Sequence, residues 1–135
     1  MIDDHGVREK VAWILIRDDQ LLVTRVHGRE LFYLPGGMRE EGESDRQTLV
    51  REIDEELQVV IDPDTMRHVH TAEIPPGHPA HGPFRMICYT AAYQGELVPS
   101  REIAEKAWLR HADRDRVSVV DALVFDALHE AGRLP

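Results

Sequence analysis

Apolar and polar positions fall in blocks along this chain, and the blocks differ in period. Val11-Ala12-Trp13-Ile14-Leu15-Ile16 is a continuous apolar run inside Val7 to Arg17, which predicts a buried strand with Trp13 in the core. Asp18-Asp19 turns the chain. Leu21-Leu22-Val23-Thr24-Arg25-Val26 predicts a second strand that pairs with the first as a hairpin. His27 to Glu30 reads as a polar turn, and Leu31 to Leu34 as a short strand leading into Pro35-Gly36-Gly37. Further on, Val59 to Ile61 is extended until Pro63 breaks it. Met66 to Ile74 alternates loosely as a strand, with His68 and His70 on one face. Pro75 to Pro83, PPGHPAHGP, holds four prolines and two glycines and can be neither strand nor helix. Phe84 to Tyr93 is a strongly apolar strand ended by Gln94-Gly95-Glu96. Val117 to Glu130 places Val120, Leu123, Val124, Ala127 and Leu128 at helical spacing.

Between these strands the period lengthens from Ser44 to Leu57. Ser44 is a natural N-cap, and Gln47 three residues later completes a capping box. On the helix so predicted, Leu49, Val50, Ile53 and Leu57 share a sector about 100° wide, a core face. Glu52, Glu55 and Glu56 fall in a second sector of about 100° beside it, so their carboxylates are expected to converge. Like charges at these spacings destabilise a helix by a few tenths of a kcal/mol per pair, about 0.2–0.5. A hard divalent cation with oxygen ligands would offset that repulsion. The alternative is a solvated acidic face, the usual place of a charge run. Gly37, Glu43 and Arg51 in register with the glutamates argue against it.

Composition narrows the classes. A chain of 135 residues is read as one domain over 1–135, long enough for a single core. Its net charge of −9 argues against a nucleic-acid polymer as partner. Cys88 is the only cysteine, which excludes an intramolecular disulfide and a cysteine-based zinc site, and its apolar neighbours make it a core thiol. The start, MIDDHGVREK, is polar and no signal peptide. The longest apolar run is too short to span a membrane. The chain reads as soluble and cytoplasmic.

The stretch from Gly37 to Val59, GMREEGESDRQTLVREIDEELQV, has the spacing G-x5-E-x7-R-E-U-x-E-E-x-G-U, where U is a large aliphatic residue. Eight of the nine fixed positions agree, and Gln58 stands where the pattern has glycine. In this the chain resembles the Nudix hydrolases. The resemblance implies an α/β (α+β) Nudix fold, a mixed sheet between helices. It implies that Arg51 pairs with Glu43 and ties the loop to the helix. It also implies that the Gly37 carbonyl joins Glu52, Glu55 and Glu56 as ligands of Mg2+, for which Mn2+ is a substitute. The family glycine ends the helix in a left-handed conformation, so Gln58 is expected to cost about 1 kcal/mol or to force another helix end. Ser100 to Leu109, SREIAEKAWL, is similar to a family segment with a glutamate six residues before a tryptophan, here Glu102 and Trp108. That assigns Glu102 as a further ligand or the general base, with Glu105 as a neighbouring candidate.

The reaction implied is attack of water on a diphosphate linkage, assisted by Mg2+. A carboxylate must accept the water's proton; Glu55 or Glu102 is the expected base, with Glu52 next. The substrate is then a nucleotide-type small molecule, a nucleoside diphosphate linked to a further group. The small chain resembles MutT-like nucleoside triphosphate pyrophosphohydrolases. ADP-ribose or sugar-nucleotide hydrolysis is the alternative, since Pro75 stands where ADP-ribose-type members carry a proline. A non-catalytic Nudix sensor is a third reading, though such domains usually lose box glutamates and all four are present. Arg25 matches a substrate-contacting arginine of MutT-like members or is a surface residue. His78 and His81 meet phosphate or base, or belong to a plain connector. Many relatives form homodimers, and no stripe in this chain decides that point.

Overall fold

The computed structural model describes residues 6–135; residues 1–5 of the polar start lie outside them. In chain order the elements are β1 (Arg8–Trp13), β2 (Ile16–Arg17), β3 (Gln20–Val26), β4 (Gly36–Gly37), α1 (Asp45–Leu57), β5 (Val60–Ile61), β6 (Arg67–Ile74), β7 (Phe84–Thr90), β8 (Tyr93–Gln94), β9 (Ile103–Leu109) and α2 (Val119–Glu130). Short 3-10 turns lie at Pro63–Thr65 and His111–Arg116. One sheet has the order β4-β1-β7-β6, with β1 and β7 parallel and the other pairs antiparallel. A second runs β2-β3-β9, and β5 pairs with β8.

Alternation along β1 builds the layers. Val11 and Trp13 pack toward α1 with Leu22, Leu49, Ile53 and Leu57. Ala12 and Ile14 pack toward α2 with Leu21, Val23, Val124, Phe125 and Leu128. The result is a mixed sheet between two helices. Each fully buried side chain of this size contributes about 1.5–3 kcal/mol, so the helices are held by their apolar faces rather than by propensity.

Helix α1 begins as the capping box requires: Gln47 N–H donates to Ser44 Oγ at 3.2 Å, and Ser44 N–H donates to Gln47 Oε1 at 2.9 Å. Leu49, Ile53 and Leu57 are fully buried and Val50 is half-buried. Gln58 ends the helix in the left-handed conformation, φ 59°, with its N–H on Asp54 O at 3.0 Å.

Several predicted elements are corrected. The apolar run Val11 to Ile16 is not one strand. Ile14 N–H still donates to Tyr89 O at 2.8 Å, while Leu15 O already accepts from Leu22 N–H at 2.9 Å. The chain changes sheets there, and only β2 forms a hairpin with β3, through Asp18 and Asp19 at φ 53° and 62°. Leu31 to Leu34 makes no strand, only the isolated bridges Thr24–Tyr33 and Phe32–Val117. The strand from Phe84 divides after Thr90 into β7 and β8. A bulge in β6 sets His68 opposite Tyr89 and His70 opposite Cys88, consecutive residues of β7, so the two histidines do not share a face. On α2, Leu123 is exposed and Phe125 is buried instead.

The left-handed Gln58 costs about 1 kcal/mol relative to a residue without a Cβ. Gln58→Gly is expected to raise the melting temperature by about 3–4 °C. An unchanged or lower value in thermal unfolding would mean that this helix end is not strained.

Candidate active site

The site begins at the short segment between Leu34 and Gly37. Gly36 takes φ 140°, and a Cβ there would collide with Val11 O. At Gly37 a Cβ would overlap the carboxylate of Glu52. Glu56, only 5% exposed, accepts from Gly36 N–H at 3.2 Å. Gly36 is therefore needed for the close approach of β4 to β1, and Gly37 for that of α1 to β4.

Glu102 arrives from the other end of the chain. Ser100 N–H donates to Glu56 O and Val98 N–H to Leu57 O, both at 2.9 Å, which docks the segment before β9 against the end of α1. Arg101, between Ser100 and Glu102, is left-handed at φ 54°. Carboxylate oxygens of Glu52, Glu56 and Glu102 then lie within 4.8 Å of one another, the one group of this kind among the described residues. Of the three glutamates expected to converge, Glu52 and Glu56 are in this group, joined by Glu102. Glu55 is outside the group, 3.6 Å from Arg51 Nη1 and 3.7 Å from Arg101 Nη1. Its position at the edge of the acidic sector turns it toward those guanidiniums instead.

Arg51 holds the loop to the helix. Its Nε and Nη2 donate to the two oxygens of Glu43 at 2.7 and 2.9 Å, its Nη2 to Met38 O at 3.2 Å, and its Nη1 to Glu52 Oε1 at 2.8 Å. The hydrogen bonds from Arg51, and from the N–H of Glu40, hold the Glu43 carboxyl down at about 2. Burial pushes the Glu56 carboxyl up to about 8, against the pull of Lys10 and the Gly36 N–H; Glu52 and Glu102 add to the rise. Burial also raises Glu52, which Arg51 opposes. Desolvated carboxylates at this spacing take up either protons or a cation. An all-oxygen donor set of this kind fits a hard divalent cation.

Beside Glu56 opens a cleft of about 450 Å³, lined by Arg8, Lys10, Arg29, Tyr33, Thr24 and Phe84 among others. Sequence reasoning missed these residues; the available signal was the two-residue spacing of Arg8 and Lys10 at the start of a strand. Arg25, half-buried, pairs with Glu105 at 2.8 Å and donates to Arg29 O at 3.0 Å. His78 and His81 are exposed, and His78 Nδ1 accepts from the N–H groups of Ala80 and His81. None of Arg25, His78 and His81 lines the cleft. Cys88 is a buried free thiol, pushed up to about 12 by burial.

Comparison with known proteins agrees with this geometry. The family model of the NUDIX domain matches residues 7–126. Among solved structures, the E. coli ORF135 protein is similar at TM-score 0.75 and 22% identity, over 93% of this chain and 91% of that one. A MutT NUDIX hydrolase from Burkholderia pseudomallei is similar at TM-score 0.70 and 18% identity, over 90% and 97%. An ADP-ribose pyrophosphatase from Streptococcus suis gives TM-score 0.66 and 18% identity, over 93% and 92%. At these identities the likeness is one of fold. No curated protein matches the chain.

The Glu43–Arg51 pair has a pH signature. The Glu43 carboxyl lies below its ordinary value of 4.5, so the ionised pair stabilises the fold above about pH 4.5, and this contribution is lost as pH falls toward about 2. Denaturant titrations are expected to show the parent losing more stability than Glu43→Gln across that window. Parallel losses would show that the pair adds nothing.

Proposed function

The chain belongs to the NUDIX family, and we propose that it is a Mg2+-dependent pyrophosphohydrolase acting on a nucleoside diphosphate linked to a further group, first of all a nucleoside triphosphate. The observation that carries this reading is the meeting of Glu52, Glu56 and Glu102, with Glu56 also lining the adjoining cleft.

Glu52 and Glu56 are one helical turn apart and supply the fixed part of the donor set. Gly37 packs against the Glu52 carboxylate, and its carbonyl is a further proposed donor. Mg2+ held by these oxygens would supply charge neutralisation of the diphosphate and acidification of a water. Glu102 is the exposed member of the three, and solvent reaches it. That makes it the proposed acceptor of the proton from the attacking water, a role that contributes about 10²–10⁴-fold. Glu55, held by two arginines, is ready to enter the donor set if Arg101 moves away. Arg51 keeps Glu52 oriented and the loop closed. A cleft of about 450 Å³ is in the range that receives small organic ligands. The unpaired Cys88 fits a reducing, cytoplasmic setting.

Glu52→Gln and Glu56→Gln are each expected to cut Mg2+-dependent release of phosphate or pyrophosphate by about 100-fold or more, and Glu102→Gln by about 10²–10⁴-fold, with circular dichroism unchanged. The panel is a set of nucleoside triphosphates, ADP-ribose and sugar nucleotides. Parental turnover in the Glu52 or Glu56 variant would remove the proposed cation site. Binding without release across the whole panel would make the chain a sensor.

A further inference from the structure

The cleft beside Glu56 is charged beyond what a diphosphate held at the three glutamates requires. Arg8 and Lys10 are two residues apart on β1 and so share one face of the sheet. Arg29 follows β3 and joins them, so three cations meet one carboxylate, Glu56. This happens in a chain whose net charge is −9. The two aromatic rings that could stack a base or sugar each already carry a cation. Arg8 Cζ lies 6.0 Å from the centre of the Phe84 ring, and Lys10 Nζ lies 5.8 Å from that of Tyr33. Phe84 is also the neighbour of Arg8 across the parallel ladder. Lys10 Nζ donates to Leu34 O at 2.6 Å. An ammonium has three donors, so the half-buried Lys10 keeps donor capacity for the cleft.

A neutral sugar or base would leave these cations facing an uncharged group, at a desolvation cost. We infer that the cleft receives an anionic group. The substrate carries a further phosphoryl or carboxylate group beyond the diphosphate held at Glu52, Glu56 and Glu102, and Arg8 and Lys10 select it. The inference rests on the reading of those glutamates as the diphosphate site. A nucleoside triphosphate meets the requirement through its third phosphoryl group. ADP-ribose, whose distal group is a neutral sugar, does not.

The test uses two matched pairs with Mg2+: UDP-glucose against UDP-glucuronate, and ADP-ribose against ADP-ribose phosphorylated on its distal ribose. The first pair reads a carboxylate, the second a phosphoryl group. A charge-assisted hydrogen bond corresponds to about a 10–100-fold effect. The anionic member of at least one pair is therefore expected to have the higher kcat/KM by about tenfold or more. Arg8→Met, at an exposed residue outside the glutamate cluster, is expected to erase most of that preference, lowering kcat/KM of the anionic member about tenfold more than that of the neutral one. Lys10→Met should do the same; if it also slows the neutral member because Glu56 loses a neighbouring cation, the Arg8 variant still decides. Equal kcat/KM within both pairs, or an Arg8 variant that lowers both members alike, overturns the inference. If no member is hydrolysed, Mg2+-dependent turnover of the nucleoside triphosphates decides whether the function proposed above stands. The same pairs compared by calorimetric Kd then decide the cleft, with the same pattern required.

Discussion

The fold and the site depend on one close approach, that of α1 to the two glycines of β4. Glu52 occupies the space a Cβ on Gly37 would need, and Glu56 accepts the Gly36 N–H. The glycines are at the same time paired with Val11 and Ala12 of β1, at the edge of the four-stranded sheet. A side chain at either position would push the helix from the sheet or the strand from its partner. The hydrophobic face of α1 sets the helix on that side, and the missing Cβ of Gly37 decides how near it can come, while that of Gly36 lets the strand close on β1. The carboxylates are consequently attached to a rigid element and pressed against backbone, where their positions are set by packing rather than by side-chain rotamer alone.

The segment leading to those glycines is fixed from the opposite layer as well. Asp121, fully buried near the start of α2, accepts the Leu34 N–H at 2.8 Å and the Ser118 hydroxyl. Burial raises its carboxyl, and Lys10 and these hydrogen bonds oppose the rise. Leu34 O takes the Lys10 ammonium, and Pro35 O takes the Trp13 N–H at 2.9 Å. From Leu34 to Gly36 the backbone polar groups are thus held by α2, by β1 and by α1 in turn. A polar residue deep in the core would ordinarily be a liability. At Asp121 it joins the second helix to the loop on which the acidic site stands.

What could be read from the sequence divides along local and distant causes. The capping box and the core face of α1 are set within one or two helical turns, and the residue spacing displays them; the left-handed end at Gln58 is one of two alternatives, implied by the family glycine at that position. The split of the first apolar run is set by where β7 ends and β3 begins, and both sheets bury it, so hydrophobicity carries no mark of the change. The histidines of β6 were displaced by a bulge of the same distant origin. In the site, the proximity of Glu52 and Glu56 follows from helix geometry. At Glu55 the helical sector tells only part: it places the residue beside the others, and the remote Arg101, like Arg51, lies near its carboxylate. The position of Glu102 depends on backbone bonds from Ser100 and Val98 to the end of α1. No spacing in the box reports those bonds; only the resemblance of a separate segment raised the residue. Arg8 and Lys10 carried a period-two signal that a reading tuned to apolar positions passed over.

Charge ties these observations together. An acidic chain that handles a polyanion must keep its own carboxylates from repelling the substrate. Here the neutralising groups are distributed by depth. Arg51 answers Glu43 and Glu52 at the loop, while Arg101 stands over Glu55 at the rim. Lys10 lies beside the most buried of the three converging carboxylates, Glu56, where the low dielectric strengthens each charge. The balance at the three converging glutamates is still negative, which favours a cation there; the balance in the adjoining cleft is positive, which favours an anion. A ligand spanning both regions would place a cation-bound diphosphate in the first and further negative charge in the second. The two fields are opposite in sign and share Glu56 as their boundary, so they orient such a ligand end to end before any contact with its neutral parts is made.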